Sequence, residues 1–272
     1  MPLLKTAEGV GIHYEEKGEG LPLVFIHGWA MSGSVWIIQH GFTDRYRVIV
    51  PDLRGHGLSS APDSGYSFEN FAHDLYELFS RLNLDKAILI AWSMGVQVAL
   101  QAFPLIRERL AALIFVSGTP KFTASEDYSY GLPSVETRGL GLRLKKDFEK
   151  AVRDFIRGMF TDEELLQGCY ERMVSDKIFG KLPARLAAHA SLKSLACADL
   201  RYTLSSVKVP VLLIHGSADN VCPPMASHYM TEHLPSARLE IMEGVGHAPF
   251  LSRPTEFTAI LIKFIDGIHA DD

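Results

Sequence analysis

Short, nearly continuous apolar runs recur in the first and last parts of the chain, at residues 23–26, 48–50, 88–90, 113–116 and 211–215, with a more polar strand-like run at 238–242. They are too short for helices, and their lack of polar alternation predicts strands buried on both faces, as in a mainly parallel sheet covered by helices. Between them, residues 68–82, 96–103 and 254–265 carry apolar positions at helical spacing. A hairpin is expected ahead of the first run. Strands alternating with helices in this way predict an α/β architecture.

The rhythm stops between residues 119 and 206, where strand patterns vanish and amphipathic helical patterns take over. Gly118, Thr119 and Pro120 punctuate the start of this segment, and Leu204, Ser205 and Ser206 its end. The expected organisation is therefore a core made of residues 1–118 and 207–272, with 119–206 inserted as a helical cap. Such a cap would hang over the C-terminal edge of the sheet, where open α/β sheets bind their ligands. Within it, residues 144–159 predict one amphipathic helix. Leu144, Phe148, Val152, Phe155 and Met159 fall on one stripe, and Lys146, Lys150, Arg153 and Arg157 on the other.

Composition narrows the partners. The chain has 272 residues, 47% of them hydrophobic, and a formal net charge of −5, which argues against a basic nucleic-acid binder. Residues 1–20 carry Lys5, Glu8, Glu15, Glu16 and Lys17 without a long apolar run, so neither a signal peptide nor a membrane anchor is expected. Three widely spaced cysteines, Cys169, Cys197 and Cys222, suit a reducing, cytoplasmic setting and show no zinc-site spacing. No metal or organic cofactor is implied. Against the overall acidity, residues 134–157 hold seven Lys or Arg and four acids.

The chemistry is concentrated at Ala91, Trp92, Ser93, Met94 and Gly95, which join the run at 88–90 to the helical stretch that follows. Small residues two positions either side of a serine suit a sharp strand-to-helix turn that pushes the hydroxyl outward. A hydroxyl needs a base, and the base needs an orienting carboxylate. Asp219 sits in the loop after the run at 211–215. His247 sits in the glycine-flanked loop after the run at 238–242. The order serine, acid, histidine points to acyl transfer through Ser93, with Asp219 and His247 as partners. The oxyanion donors are expected from the backbone N–H of Met94 and of Trp29, the latter in the His27-Gly28-Trp29 turn. His27 and His56 are read as structural hydrogen-bonders, and Cys222 as a small packing residue.

These strings resemble the serine α/β-hydrolases, and more narrowly the pimeloyl-acyl-carrier-protein methyl ester esterases. The residues that carry the likeness are His27-Gly28-Trp29, Trp92-Ser93-Met94-Gly95, Gly246-His247-Ala248-Pro249-Phe250 and Ser252 to Phe257. The resemblance implies an α/β-hydrolase fold and an ester substrate, small or linked to a carrier protein. It further implies Trp29, Phe155 and Phe148 at the acyl group, and Lys146, Lys150, Arg153 and Arg157 facing an acidic acyl carrier protein. The sequence departs from that pattern at Ala91, where glycine is expected, and in the acidic stretch 162–173. A broad short-chain carboxylesterase and a slow-turnover ligand receptor of the same fold remain open alternatives.

Overall fold

The computed structural model describes residues 3–175, 178 and 180–270. Eight strands form one sheet in the order β1-β2-β4-β3-β5-β6-β7-β8. They are β1 Leu3–Lys5, β2 Gly11–Lys17, β3 Pro22–Ile26, β4 Arg47–Pro51, β5 Ala87–Trp92, β6 Leu110–Val116, β7 Val211–Gly216 and β8 Ala237–Met242. The β1–β2 and β2–β4 pairs are antiparallel, and the remaining pairs are parallel. Every residue of β5 and of β7 is buried, which is why these runs read as unbroken apolar stretches.

The chain passes from β3 outward to β4, then crosses back to place β5 on the other side of β3. This reversal leaves a crevice beyond the C-terminal ends of β3 and β5. Crossovers are made by α1 Phe68–Arg81 and α2 Met94–Ile106. Between β6 and β7 come α3 Ser134–Lys146, α4 Phe148–Arg157, α5 Asp162–Leu166, α6 Cys169–Ser175 and α7 Arg185–Cys197; α8 Met225–His233, α9 Pro249–Ser252 and α10 Pro254–Ala270 follow. No helix among the described residues is long and apolar enough to cross a membrane.

The two legs of the segment between β6 and β7 run side by side. Lys121 and Asp199 form an antiparallel bridge, and Leu200 N–H donates to Pro120 O at 2.9 Å. Charges reinforce the stem: Lys121 meets Asp199 at 3.0 Å, and Arg201 meets both Asp199 and Asp127 at 2.6 Å.

One expected element is corrected. Residues 144–159 form two helices rather than one, because α3 ends at Lys146 and α4 starts at Phe148. Asp147 adopts φ −151°, ψ 96°, and its carboxylate accepts from Lys150 N–H at 3.1 Å. A carboxylate placed to cap the next turn competes with continuation of the helix, a local preference that apolar periodicity does not register. Leu144, Phe148, Val152 and Met159 are nonetheless buried, and Phe155 half-buried.

Candidate active site

Strand β5 delivers its last buried residue, Trp92, to the crevice, and the chain turns at Ser93 with φ 56° and ψ −120°. That conformation is strained for any residue with a side chain. It is tolerated because the turn is pinned: Ser93 N–H donates to Val116 O at 2.9 Å, and Val96 N–H to Ser93 O at 3.0 Å. Helix α2 then passes so close to β3 that a Cβ at position 95 would stand 2.9 Å from Ile26 O and 3.0 Å from His27 O. Gly95 is required by this approach of backbone to backbone.

Two loops bring the other groups to Ser93. His247 Nε2 lies 2.8 Å from Ser93 Oγ, and His247 Nδ1 lies 2.7 Å from Asp219 Oδ2. Ser93, Asp219 and His247 are 7%, 5% and 0% exposed, so the hydrogen-bonded chain between them is shielded from solvent. Asp219 is held through its other oxygen, which accepts from Val221 N–H at 2.8 Å and Cys222 N–H at 3.0 Å. Burial pushes the Asp219 carboxyl up, but the His247 and His215 imidazoles facing it outweigh burial and hold it well below the ordinary carboxylate range. It therefore faces His247 as an anion.

Sequence reasoning missed His215. Its Nε2 lies 3.1 Å from Asp219 Oδ2 and 2.8 Å from Cys222 O, and its Nδ1 lies 2.6 Å from Ser227 Oγ. Nε2 faces two acceptors, Asp219 Oδ2 and Cys222 O, so His215 presents an N–H to the carboxylate and Nδ1 is left to accept from the Ser227 hydroxyl. The signal was available in the sequence: a histidine at the end of an apolar run, four residues before the acid. Cys222 is buried beside the same groups. Burial first and the Asp219 charge second push its thiol well above the usual range, although the facing Ser93 hydroxyl lowers it. Cys222 is accordingly a protonated thiol and a poor nucleophile.

Beside the crevice, neither Trp29 N–H nor Met94 N–H donates to an acceptor among the described residues. Met94 directly follows Ser93 in the chain, and a Cβ at Gly28, the residue before Trp29, would stand 3.0 Å from Ser93 Cβ. The Trp29 ring is buried; its Nε1–H donates to Ala188 O of α7 at 3.0 Å, and its edge meets Phe155 at a centroid distance of 4.8 Å. Phe155 lines a cavity of about 340 Å³ with Phe122, Leu132, Leu140, Arg143 and Val221. Phe148 is absent from that lining. It is buried with Arg185 over its ring at 5.2 Å, in the packing between α4 and α7.

The basic residues of this region are exposed and mostly paired. Lys150 bonds Asp154, Arg153 bonds Glu149 at 2.7 Å, and Arg157 meets Glu171 at 3.6 Å, whereas Lys146 makes no ion pair among the described residues. No group of three or more His, Cys, Asp or Glu that could hold a metal ion occurs among the described residues.

His27 and His56 form a buried pair, with ring centroids 5.3 Å apart, under the crevice. His27 accepts from Leu53 N–H at 2.9 Å and donates through Nδ1–H to Gly28 O at 2.8 Å, tying the turn that carries Trp29 to the loop after β4. Burial, then the neighbouring His27, push the His56 imidazole down to about 3. Its folded form stays neutral while the unfolded chain takes up a proton below about 6.5, so this group's contribution to stability falls as pH drops from there towards 3. The slope is about 1.4 kcal/mol per pH unit within that window. Urea unfolding between pH 7 and pH 4.5 should therefore show His56→Gln losing stability less steeply than the parent; parallel curves would refute the assignment.

Comparison with known proteins agrees with this architecture. A sequence profile described as alpha/beta hydrolase fold matches residues 22–254. The chain is 32% identical over 253 residues to a pimeloyl-[acyl-carrier protein] methyl ester esterase of Nitrosomonas europaea, covering 91% of this chain and 97% of the relative. It is 31% identical to the protein of the same name from Aeromonas hydrophila, over 94% of this chain and 100% of that one. Among solved structures, an esterase from Exiguobacterium antarcticum superposes with a TM-score of 0.88 at 29% identity, covering 97% of this chain and 98% of its own.

Proposed function

The chain belongs to the alpha/beta hydrolase fold family, and from that premise we propose that it is a carboxylesterase working through a Ser93-His247-Asp219 triad and an acyl-enzyme. The observation that carries this reading is the unbroken hydrogen-bond chain from Asp219 Oδ2 through the His247 ring to Ser93 Oγ, at 2.7 and 2.8 Å. His247 takes the hydroxyl proton as Ser93 Oγ attacks the ester carbonyl, and ionised Asp219 stabilises the imidazolium. Negative charge on the carbonyl oxygen is received by the N–H groups of Trp29 and Met94. His247 next protonates the departing alcohol. It then activates water, which releases the acyl group and restores Ser93.

The finer reading is that the substrate is the methyl ester of a pimeloyl group on an acyl carrier protein. Relatives bearing that name over nearly the full chain support it, as does the apolar cavity beside Phe155. We read residues 119–206 as a cap over the site, its two legs joined at the base by the Lys121–Asp199 stem. Because Lys150, Arg153 and Arg157 have acidic partners, the field that would steer an acidic carrier is left to the exposed Arg138, Arg143, Lys145 and Lys146, of which the two lysines are adjacent. That pairing with acids is also what favours the second reading, a broad short-chain carboxylesterase.

Assay of the purified protein on methyl pimeloyl carrier protein beside p-nitrophenyl esters tests both. Charge reversal of Lys145 and Lys146 is expected to lower kcat/KM on the carrier-linked ester by about tenfold at low salt. Free esters should change less than twofold, and reversing Arg153 and Arg157 should do less than reversing the lysine pair. Equal effects on carrier-linked and free esters would leave the short-chain carboxylesterase. A single turnover on every ester would instead indicate a receptor.

A further inference from the structure

The base of the proposed triad is held in place by the segment that joins α4 to α5. His247 N–H donates to Met159 O at 2.8 Å, and His247 O accepts from Trp92 Nε1–H at 2.8 Å, so both main-chain polar groups of the histidine are engaged. One residue earlier, Gly246 N–H donates to Glu164 Oε1 at 3.1 Å. The other oxygen of Glu164 accepts from Thr161 N–H at 2.7 Å, while Thr161 Oγ1 accepts from Glu164 N–H at 3.2 Å. Those last two bonds are the capping box that starts α5. A carboxylate in a capping box is normally solvated; this one is 5% exposed and reaches 82 residues along the chain to the histidine loop.

The approach is also close in steric terms. A Cβ at position 246 would stand 2.4 Å from Met159 O and 2.8 Å from Glu164 Oε2, so glycine is what allows the two segments to meet. Gly246 N–H is buried and faces the carboxylate, an arrangement that costs free energy unless the acceptor is present.

We propose that Glu164 is a positioning residue for His247, locking the histidine loop to residues 159–164 so that Nε2 stays within reach of Ser93 Oγ. The inference rests on His247 being the base. Glu164 touches neither substrate nor the reacting atoms; it acts through the Gly246–His247 backbone. Displacement of a catalytic group by about 1 Å can cost on the order of 100-fold in rate, and loss of the Glu164–Gly246 bond frees the loop on the side facing α5. The consequence falls on kcat, because the cavity beside Phe155 has no wall from Glu164.

The test compares Glu164→Ala, Glu164→Gln, Thr161→Ala and His247→Ala on a p-nitrophenyl ester, with thermal unfolding run in parallel. Glu164→Ala is expected to lower kcat by about tenfold or more with KM within twofold. Thr161→Ala removes the hydroxyl half of the capping box while leaving the bond to Gly246, and should lose thermal stability while keeping kcat within twofold. Glu164→Gln retains one acceptor oxygen in a side chain of the same size, and should fall between parent and Glu164→Ala; it carries the test if Glu164→Ala does not fold. Unchanged kcat in the Glu164 variants, or an equal kcat loss in Thr161→Ala, would overturn the positioning role. Retained activity in His247→Ala would overturn the triad reading instead, so the two failures are distinguishable.

Discussion

Ser93→Ala is expected to lower kcat on p-nitrophenyl esters by on the order of a million-fold, with the fold and the affinity for ester retained. Removing the nucleophile of a serine triad leaves only what binding and oxyanion donors contribute. The residue is 7% exposed and the change removes a single oxygen atom, so it opens no large void. Stability offers a second readout at the same position. Ser93 holds φ 56° and ψ −120°, a conformation open to glycine and strained by about 1–3 kcal/mol for residues with a Cβ. Alanine inherits that strain; glycine relieves it against an entropy cost of about 0.5–1 kcal/mol. Ser93→Gly should therefore be as inactive as Ser93→Ala and unfold at a higher temperature. Activity near the parent level in purified Ser93→Ala would remove the nucleophile assignment.

The strand-to-helix turn could be read from the sequence because its causes are local. An apolar run, a serine and a glycine that lets α2 approach Ile26 O are all adjacent in the chain. The mainly parallel sheet could be read for a related reason: strands buried on both faces cannot carry polar alternation, and β5 and β7 do not. The meeting of residues 93, 219 and 247 is a long-range event. It was nevertheless inferable, because each residue follows its own apolar run and parallel strands end on the same edge of a sheet.

What escaped the sequence has a common physical origin. The break at Asp147 depends on one carboxylate choosing the Lys150 N–H, and the apolar stripe continues across it unaltered. Phe148 and Phe155 lie on one stripe of that pattern, yet the fold sends Phe155 to the Trp29 ring and Phe148 beneath Arg185. The i,i+4 spacing of Glu149 with Arg153 and of Lys150 with Asp154 is legible in the sequence, and both pairs form on α4; what the spacing does not show is Glu171, which reaches Arg157 from α6. Glu164 was one acid among several in a stretch whose acidity seemed merely unfavourable to an acidic partner; only the fold brings it to Gly246. Periodicity reports which face is buried, and says little about which polar atoms meet there.

Asp219→Asn is expected to lower kcat by on the order of 10,000-fold while leaving KM within a few-fold, through the tautomer of His247 rather than through charge alone. The carboxylate's Oδ1 accepts from two backbone N–H groups, Val221 and Cys222. In the amide the carbonyl oxygen must occupy that position, because an NH2 group there would face two donors. The NH2 group is thereby turned towards His247 Nδ1, where Asp219 Oδ2 now lies 2.7 Å away. An N–H aimed at Nδ1 favours the imidazole with its proton on Nε2, and that nitrogen, 2.8 Å from Ser93 Oγ, can then no longer accept the hydroxyl proton. The same NH2 confronts the N–H of His215, so stability should drop by about 1–3 kcal/mol, the cost of a buried donor without an acceptor. Asp219→Ala separates the two contributions: it removes the charge without supplying the opposing donor. If the tautomer carries the effect, Asp219→Ala loses less kcat than Asp219→Asn; if Asp219→Ala loses as much or more, the negative charge on Asp219 is what supports catalysis and the tautomer argument fails.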